Sequence, residues 1–186
     1  MNINYENAVE KVLCSEQDIK KRVEEIAREI EAYYKDSEKK LLFLGILKGS
    51  VVFMADLIRA IDIPCEIDFM DVSSYGSGTK TTGVVRIVKD LDKAIEGYDL
   101  LLVEDILDSG LTLEYIINML ADRNPNSIKI CTLFNKTERR VAKIDADYIG
   151  LKVPNEFIVG YGLDYNEKYR NLPYIGVLKR EVYSAE

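Results

Sequence analysis

The chain has 186 residues, long enough for one domain that buries roughly 70% of its unfolded surface without disulfides or metals. Twenty-five basic residues against 32 acidic ones give a net charge of −7, which argues against nucleic acid as the main partner. Histidine is absent, so Ser-His-Asp and Cys-His catalysis, His-containing zinc sites and any imidazole acid or base are excluded.

Cys14, Cys65 and Cys131 are far apart and lack metal-knuckle spacing, so they are expected as buried small hydrophobes in a reducing compartment. Met1–Glu10 is polar and acidic, unlike a secretory leader. The longest strongly apolar stretch, Leu41–Leu47, is far short of the ~20 residues needed to span a membrane. A cytoplasmic, soluble protein without membrane partners is expected.

In chain order, Ser15 opens a helical pattern in which Ile19, Val23, Ile26, Ala27 and Ile30 recur at three- and four-residue steps; Ser15 and Asp18 match a capping box. Leu41–Leu47 is apolar without alternation, as in a strand buried on both faces. Lys48-Gly49-Ser50 turns into a second helix, Val51–Ala60. Cys65, Ile67 and Phe69 alternate with Glu66, Asp68 and Met70, predicting a less completely covered strand. Ser73–Gly83 has three glycines and little to bury, and reads as a mobile loop.

Val84–Val88 and Leu100–Val103 are further strands, and Thr112–Arg123 is an amphipathic helix ended by Asn124-Pro125-Asn126. Ser127–Phe134, Tyr148–Leu151 and Phe157–Gly160 complete the strand candidates. Nothing resembling a linker or repeat divides the chain, so residues 1–186 are expected to form a single domain. Buried strands alternating with helices predict a parallel-sheet α/β fold whose ligands gather at the carboxyl ends of the strands.

The most informative stretch follows Leu100–Val103: Glu104-Asp105-Ile106-Leu107-Asp108-Ser109-Gly110-Leu111-Thr112. Adjacent carboxylates at a strand end can grip two ribose hydroxyls or lie close to a bound Mg2+. Asp108-Ser109-Gly110 then enters a helix, where small side chains and free N–H groups suit a phosphate monoester. Asp108 or Ser109 as a plain helix N-cap is the competing interpretation.

Val103–Gly110 resembles the 5-phosphoribosyl 1-diphosphate (PRPP) motif of type I phosphoribosyltransferases. Leu47-Lys48-Gly49, Ser74-Tyr75-Gly76, Lys136 and the Phe157–Glu167 run with Arg170 are similar, in order, to the hypoxanthine(-guanine) branch. The resemblance implies a type I phosphoribosyltransferase fold: a mostly parallel twisted sheet flanked by helices, with a small hood formed by terminal segments. It implies transfer of a 5-phosphoribosyl group from PRPP to a 6-oxopurine, with Mg2+ as cofactor and a homodimer or homotetramer as the assembly.

The resemblance also assigns roles. Glu104 and Asp105 hold the ribose hydroxyls, and with Asp164 they serve Mg2+. Asp108, Ser109, Gly110, Leu111 and Thr112 cradle the 5′-phosphate, and Asp108 is the general acid/base. Lys48, Gly49 and Arg170 take the diphosphate, with the Leu47–Lys48 bond often cis in the family. Lys136 donates to the purine O6, Phe157 lies against the ring, and Ile158 adds a backbone contact. Ser74 and Tyr75 belong to a lid. Ser109 stands where many relatives carry threonine, which keeps the hydroxyl.

By residue type alone, Lys136 beside Thr137-Glu138-Arg139-Arg140 reads as a solvated loop lysine and Phe157 as core packing. A PRPP-sensing regulator on the same fold is the rival function; it calls for a basic nucleic-acid face, which this acidic chain lacks.

Overall fold

A computed structural model describes residues 5–74 and 85–184. After a short helix α1 (Tyr5–Ala8) come β1 (Val9–Cys14), α2 (Glu16–Tyr34), β2 (Leu41–Leu47), α3 (Val51–Ala60), β3 (Glu66–Ser74) and β4 (Val85–Lys89). Then follow β5 (Asp99–Leu107), α4 (Leu111–Ala121), β6 (Ser127–Asn135), β7 (Tyr148–Lys152), β8 (Ile158–Val159), β9 (Ile175–Leu178) and α5 (Arg180–Tyr183).

Six strands form the main sheet in the order β4-β3-β2-β5-β6-β7. All neighbours are parallel except the β3–β4 pair at the edge. The lack of alternation in Leu41–Leu47 has the expected cause. Phe43 enters the core beneath α2 and α3 with Leu101 and Val103, while Leu42 and Leu44 enter the opposite core beneath α4 with Leu100 and Leu102. The Ser15–Asp18 capping box forms as predicted and starts α2 with its Ile19, Val23, Ile26 and Ile30 stripe inward.

The hood is a separate three-stranded sheet, β1-β9-β8, antiparallel throughout. It joins the two ends of the chain, as the family resemblance implies. Two of its strands, β1 and β9, have no counterpart in the strand-by-strand reading. They are short, and pairing across the hood, β9 with both β1 and β8, makes them strands.

Some boundaries differ from expectation. The strand expected to stop at Val103 runs to Leu107 because Glu104, Ile106 and Leu107 keep pairing with Thr132, Phe134 and Asn135 of β6. The strand expected over Phe157–Gly160 shortens to Ile158–Val159, as Gly160 turns at φ 106°. On β3 the buried alternation falls on Asp68 and Met70, leaving Ile67 exposed. Of the cysteines only Cys131 is buried; Cys14 and Cys65 are half-buried. Ser74 ends β3, and Tyr75 with most of the expected lid lies outside the described residues.

Candidate active site

In a parallel sheet the crevice opens where the chain leaves a strand to one side and returns on the other. Here that point lies between β2 and β5, whose carboxyl ends carry Lys48-Gly49 and Glu104-Asp105. The Leu47–Lys48 peptide is cis. Ser50, fully buried, donates to the Ile46 carbonyl at 2.6 Å and closes the turn. Gly49 lies directly against the Asp105 carboxylate, and its carbonyl faces Gly162 of the hood.

Glu104 and Asp105 enter the crevice from the end of β5 rather than from a loop. Burial pushes the Glu104 carboxyl well above the usual range, and the Asp105 charge pushes it further. Burial also raises Asp105, to about 6, against the pull of the Ile106 N–H and the Arg170 guanidinium. Glu104 Oε2 is buried without a hydrogen-bond partner. Adjacent carboxyl groups whose ionisation burial opposes, one with an orphaned oxygen, form a site that a divalent cation would fit. Among the described residues no three acids gather into a protein-only metal nest.

Beyond Leu107 the chain makes a compact loop into α4. Gly110 adopts the left-handed conformation at φ 79° and is the residue before the helix, with no side-chain cap. Neither Asp108 nor Ser109 caps α4, so the plain N-cap interpretation of both is excluded. The first N–H groups of α4 stay available to an anion. The loop is shaped from behind by Arg140, which donates from Nε to the Asp108 carbonyl at 3.1 Å. Its Nη2 reaches the Leu107 carbonyl at 3.2 Å and Asn135 Oδ1 at 2.6 Å, and its Nη1 the Ile144 carbonyl at 2.8 Å. Val141 and Ala142 both donate backbone N–H groups to the Ser109 carbonyl.

Arg140 is therefore no solvated loop residue. Its charged neighbours hid it, and only a fork able to reach four acceptors would have distinguished it from Arg139. Arg139 instead faces the site, with Nη1 3.1 Å from Asp108 Oδ2. The other Asp108 oxygen, Oδ1, is buried and unpartnered.

Lys136 leaves the end of β6 only 7% exposed and donates to the Glu156 carbonyl at 2.7 Å. Burial lowers its pKa, partly countered by the nearby Asp108 charge. The solvated-lysine interpretation fails on that burial. Phe157, by contrast, is 38% exposed and so is not core packing. Ile158 is buried in β8, paired with Val177.

The hood brings a charged cluster to the crevice. Arg170 lies 2.9 Å from Asp164 Oδ1 and donates from Nη1 to the Gly162 carbonyl at 2.8 Å. Its buried Nε has no partner. Lys48 Nζ meets Glu167 Oε1 at 3.3 Å, a contact that no local pattern around either residue signals. The predicted site residues thus form one surface: Lys48 and Gly49 from β2, Glu104–Thr112 from β5 to α4, Lys136 from β6, and Phe157 to Arg170 from the hood.

Residues 13–166 match the model of the phosphoribosyl transferase domain. The hypoxanthine-guanine phosphoribosyltransferase of Bacillus subtilis is 54% identical over 95% of this chain and 97% of its own length. The chain belongs to the phosphoribosyltransferase family, in its hypoxanthine-guanine branch. A hypoxanthine phosphoribosyltransferase crystal structure from Staphylococcus aureus superposes with a TM-score of 0.93, at 52% identity over 98% of both chains. The bifunctional protein TilS/HprT of Listeria innocua is 50% identical over 98% of this chain, which spans only 28% of that relative. Among the described residues no helix is long and apolar enough to cross a membrane.

Proposed function

We propose that this chain converts hypoxanthine, and guanine, with PRPP to the purine nucleotide and diphosphate. The observation that carries this reading is the convergence of a free helix N-terminus, the Glu104–Asp105 pair and the buried Lys136 on one crevice at the sheet's carboxyl edge.

In this reading the N–H groups from Ser109 to Thr112 and the Ser109 and Thr112 hydroxyls take the 5′-phosphate. Glu104 and Asp105 grip the ribose hydroxyls, and their negative charge favours the cation that develops at the anomeric carbon. The C1–oxygen bond to diphosphate breaks as the N9–C1 bond forms, so the purine ring must lose a proton. Asp108, with one buried unpartnered oxygen, accepts it at N7. Lys136 donates to O6; an ammonium has no acceptor for a 6-amino group, so adenine is disfavoured. Phe157 offers its exposed ring to the base, with Ile158 supplying a backbone contact.

Lys48, the Gly49 backbone and Arg170 neutralise the departing diphosphate. Mg2+, held by Glu104, Asp105 and Asp164 together with substrate oxygens, would supply charge neutralisation on the diphosphate. Ser74 and Tyr75 are assigned to the cover over this site. A homodimer or homotetramer is the assembly that the family implies.

The test is a diphosphate-release assay with PRPP, Mg2+ and one purine at a time. Release with hypoxanthine and guanine but not adenine is expected; adenine used as well as hypoxanthine would overturn the 6-oxopurine assignment.

A further inference from the structure

Phe157 does not take its orientation from the core. Its ring is held by two other aromatic rings. Tyr183 lies over it with centroids 4.9 Å apart and planes within 22°, a stacked pair. Tyr165 forms a T-shaped pair with it, centroids 5.6 Å apart and planes at 89°.

Tyr183 sits at the end of α5, a single turn of helix that the hood anchors firmly. Leu178 N–H donates to the Phe157 carbonyl at 2.8 Å, and Lys179 N–H donates to the Ala8 carbonyl at 2.9 Å. Ser184 returns both its N–H and its hydroxyl to the Arg180 carbonyl. Val182 and Tyr183 pack against Val159, Tyr169, Leu172 and Leu178. The Tyr183 ring is thereby fixed to the same strand pair that carries Phe157.

We infer that Tyr183 is a positioning residue for base recognition: stacked on the Phe157 ring, it holds the orientation in which that exposed ring meets the purine. This rests on the reading that Phe157 is the base platform. An exposed phenylalanine at a strand end rotates about two side-chain bonds, and a base that stacks on it must first freeze that rotation. A ring already stacked on Tyr183 has lost the freedom before the base arrives. The contact is ring on ring, so the Tyr183 hydroxyl is dispensable. Among the described residues the ring pair of Tyr183 is with Phe157 and no hydrogen bond ties it to the Asp108–Thr112 loop, so PRPP binding should be indifferent to it.

The experiment is steady-state kinetics of the full chain carrying Tyr183→Ala, Tyr183→Leu or Tyr183→Phe, with Phe157→Ala as reference. Tyr183→Ala should raise KM for hypoxanthine about 2- to 12-fold, the range an aromatic pair supplies, with kcat and the KM for PRPP within twofold. Tyr183→Leu, which keeps apolar volume in the hood but has no ring, should be impaired to the same degree. Tyr183→Phe should restore the unmutated value. An unchanged or lowered hypoxanthine KM in Tyr183→Ala, an equal rise in the KM for PRPP, or full activity in Tyr183→Leu would overturn the inference. If Phe157→Ala itself leaves the hypoxanthine KM unchanged, the platform reading fails instead.

Discussion

Gly49 and Asp105 touch across the gap between β2 and β5, so closely that a methyl group on Gly49 would occupy the space of the Asp105 carboxylate. That carboxylate has little room to retreat, because its Oδ1 accepts the Ile106 N–H at 2.7 Å. Gly49→Ala should therefore displace Asp105 and lower kcat/KM for PRPP by about 10²-fold, since a misplacement of about 1 Å costs on that order. Steady-state kinetics with PRPP varied checks this, alongside a thermal melt showing that the fold survives.

Asp108→Asn should keep the fold and PRPP binding but lower kcat by about 10²–10⁴, the usual contribution of a positioned acid/base. The ion pair to Arg139 is partly exposed, so solvent screens it and it contributes little to stability. Calorimetric titration with PRPP and a turnover assay separate the two effects. A kcat near that of the unmutated protein would remove Asp108 from the proton transfer.

Lys136→Ala should raise KM for hypoxanthine about tenfold or more while leaving KM for PRPP nearly unchanged. A hydrogen bond from a charged group is worth about 1.5–3 kcal/mol. Paired measurements with each substrate varied in turn decide it; an equal rise for both would place Lys136 in general site structure rather than at O6.

Arg140→Ala strips a donor from the Leu107, Asp108 and Ile144 carbonyls and from Asn135 Oδ1 at once. Buried acceptors left unpaired should cost about 3 kcal/mol, measured by urea unfolding, and the 5′-phosphate loop should loosen. Arg140→Lys should recover little, because an ammonium cannot span the four acceptors that a planar fork reaches. Hydrogen exchange at Ser109–Thr112 reports the loosening.

Asp99 sets an acid limit. Burial opposes its ionisation, but the Ser127, Asn126 and Ser37 side chains outweigh burial and hold its carboxyl below the usual range. Because the folded value lies below the unfolded one, near 3.9, its stabilisation is fully present above about pH 4 and is lost as pH falls through the folded pKa. Asp99→Asn should reduce stability at pH 7 by about 1–3 kcal/mol and flatten the fall in melting temperature on the acid side.

Local pattern alone determined the parts whose signals are short-range. The Ser15 cap, the two-face burial of Leu41–Leu47, the helices that begin at Val51 and near Thr112, and the Asp108–Thr112 loop all depend on neighbours within a few residues or on burial of a continuous apolar run. The absence of histidine likewise removed imidazole from the acid–base candidates and made a carboxylate the expected one. The tertiary structure decided what depends on contacts between distant segments. Strands β1 and β9 exist because the two ends of the chain pair. Glu104 and Asp105 remain within β5 because β6 extends alongside them. The Arg140 fork, the Lys48–Glu167 contact and the Tyr183–Phe157 stack join residues whose types are ordinary in their local settings. Burial separated Lys136 from a surface lysine and exposure separated Phe157 from a core ring. Neither is encoded by a residue's neighbours along the chain, because both are set by what the folded sheet and hood bring against them.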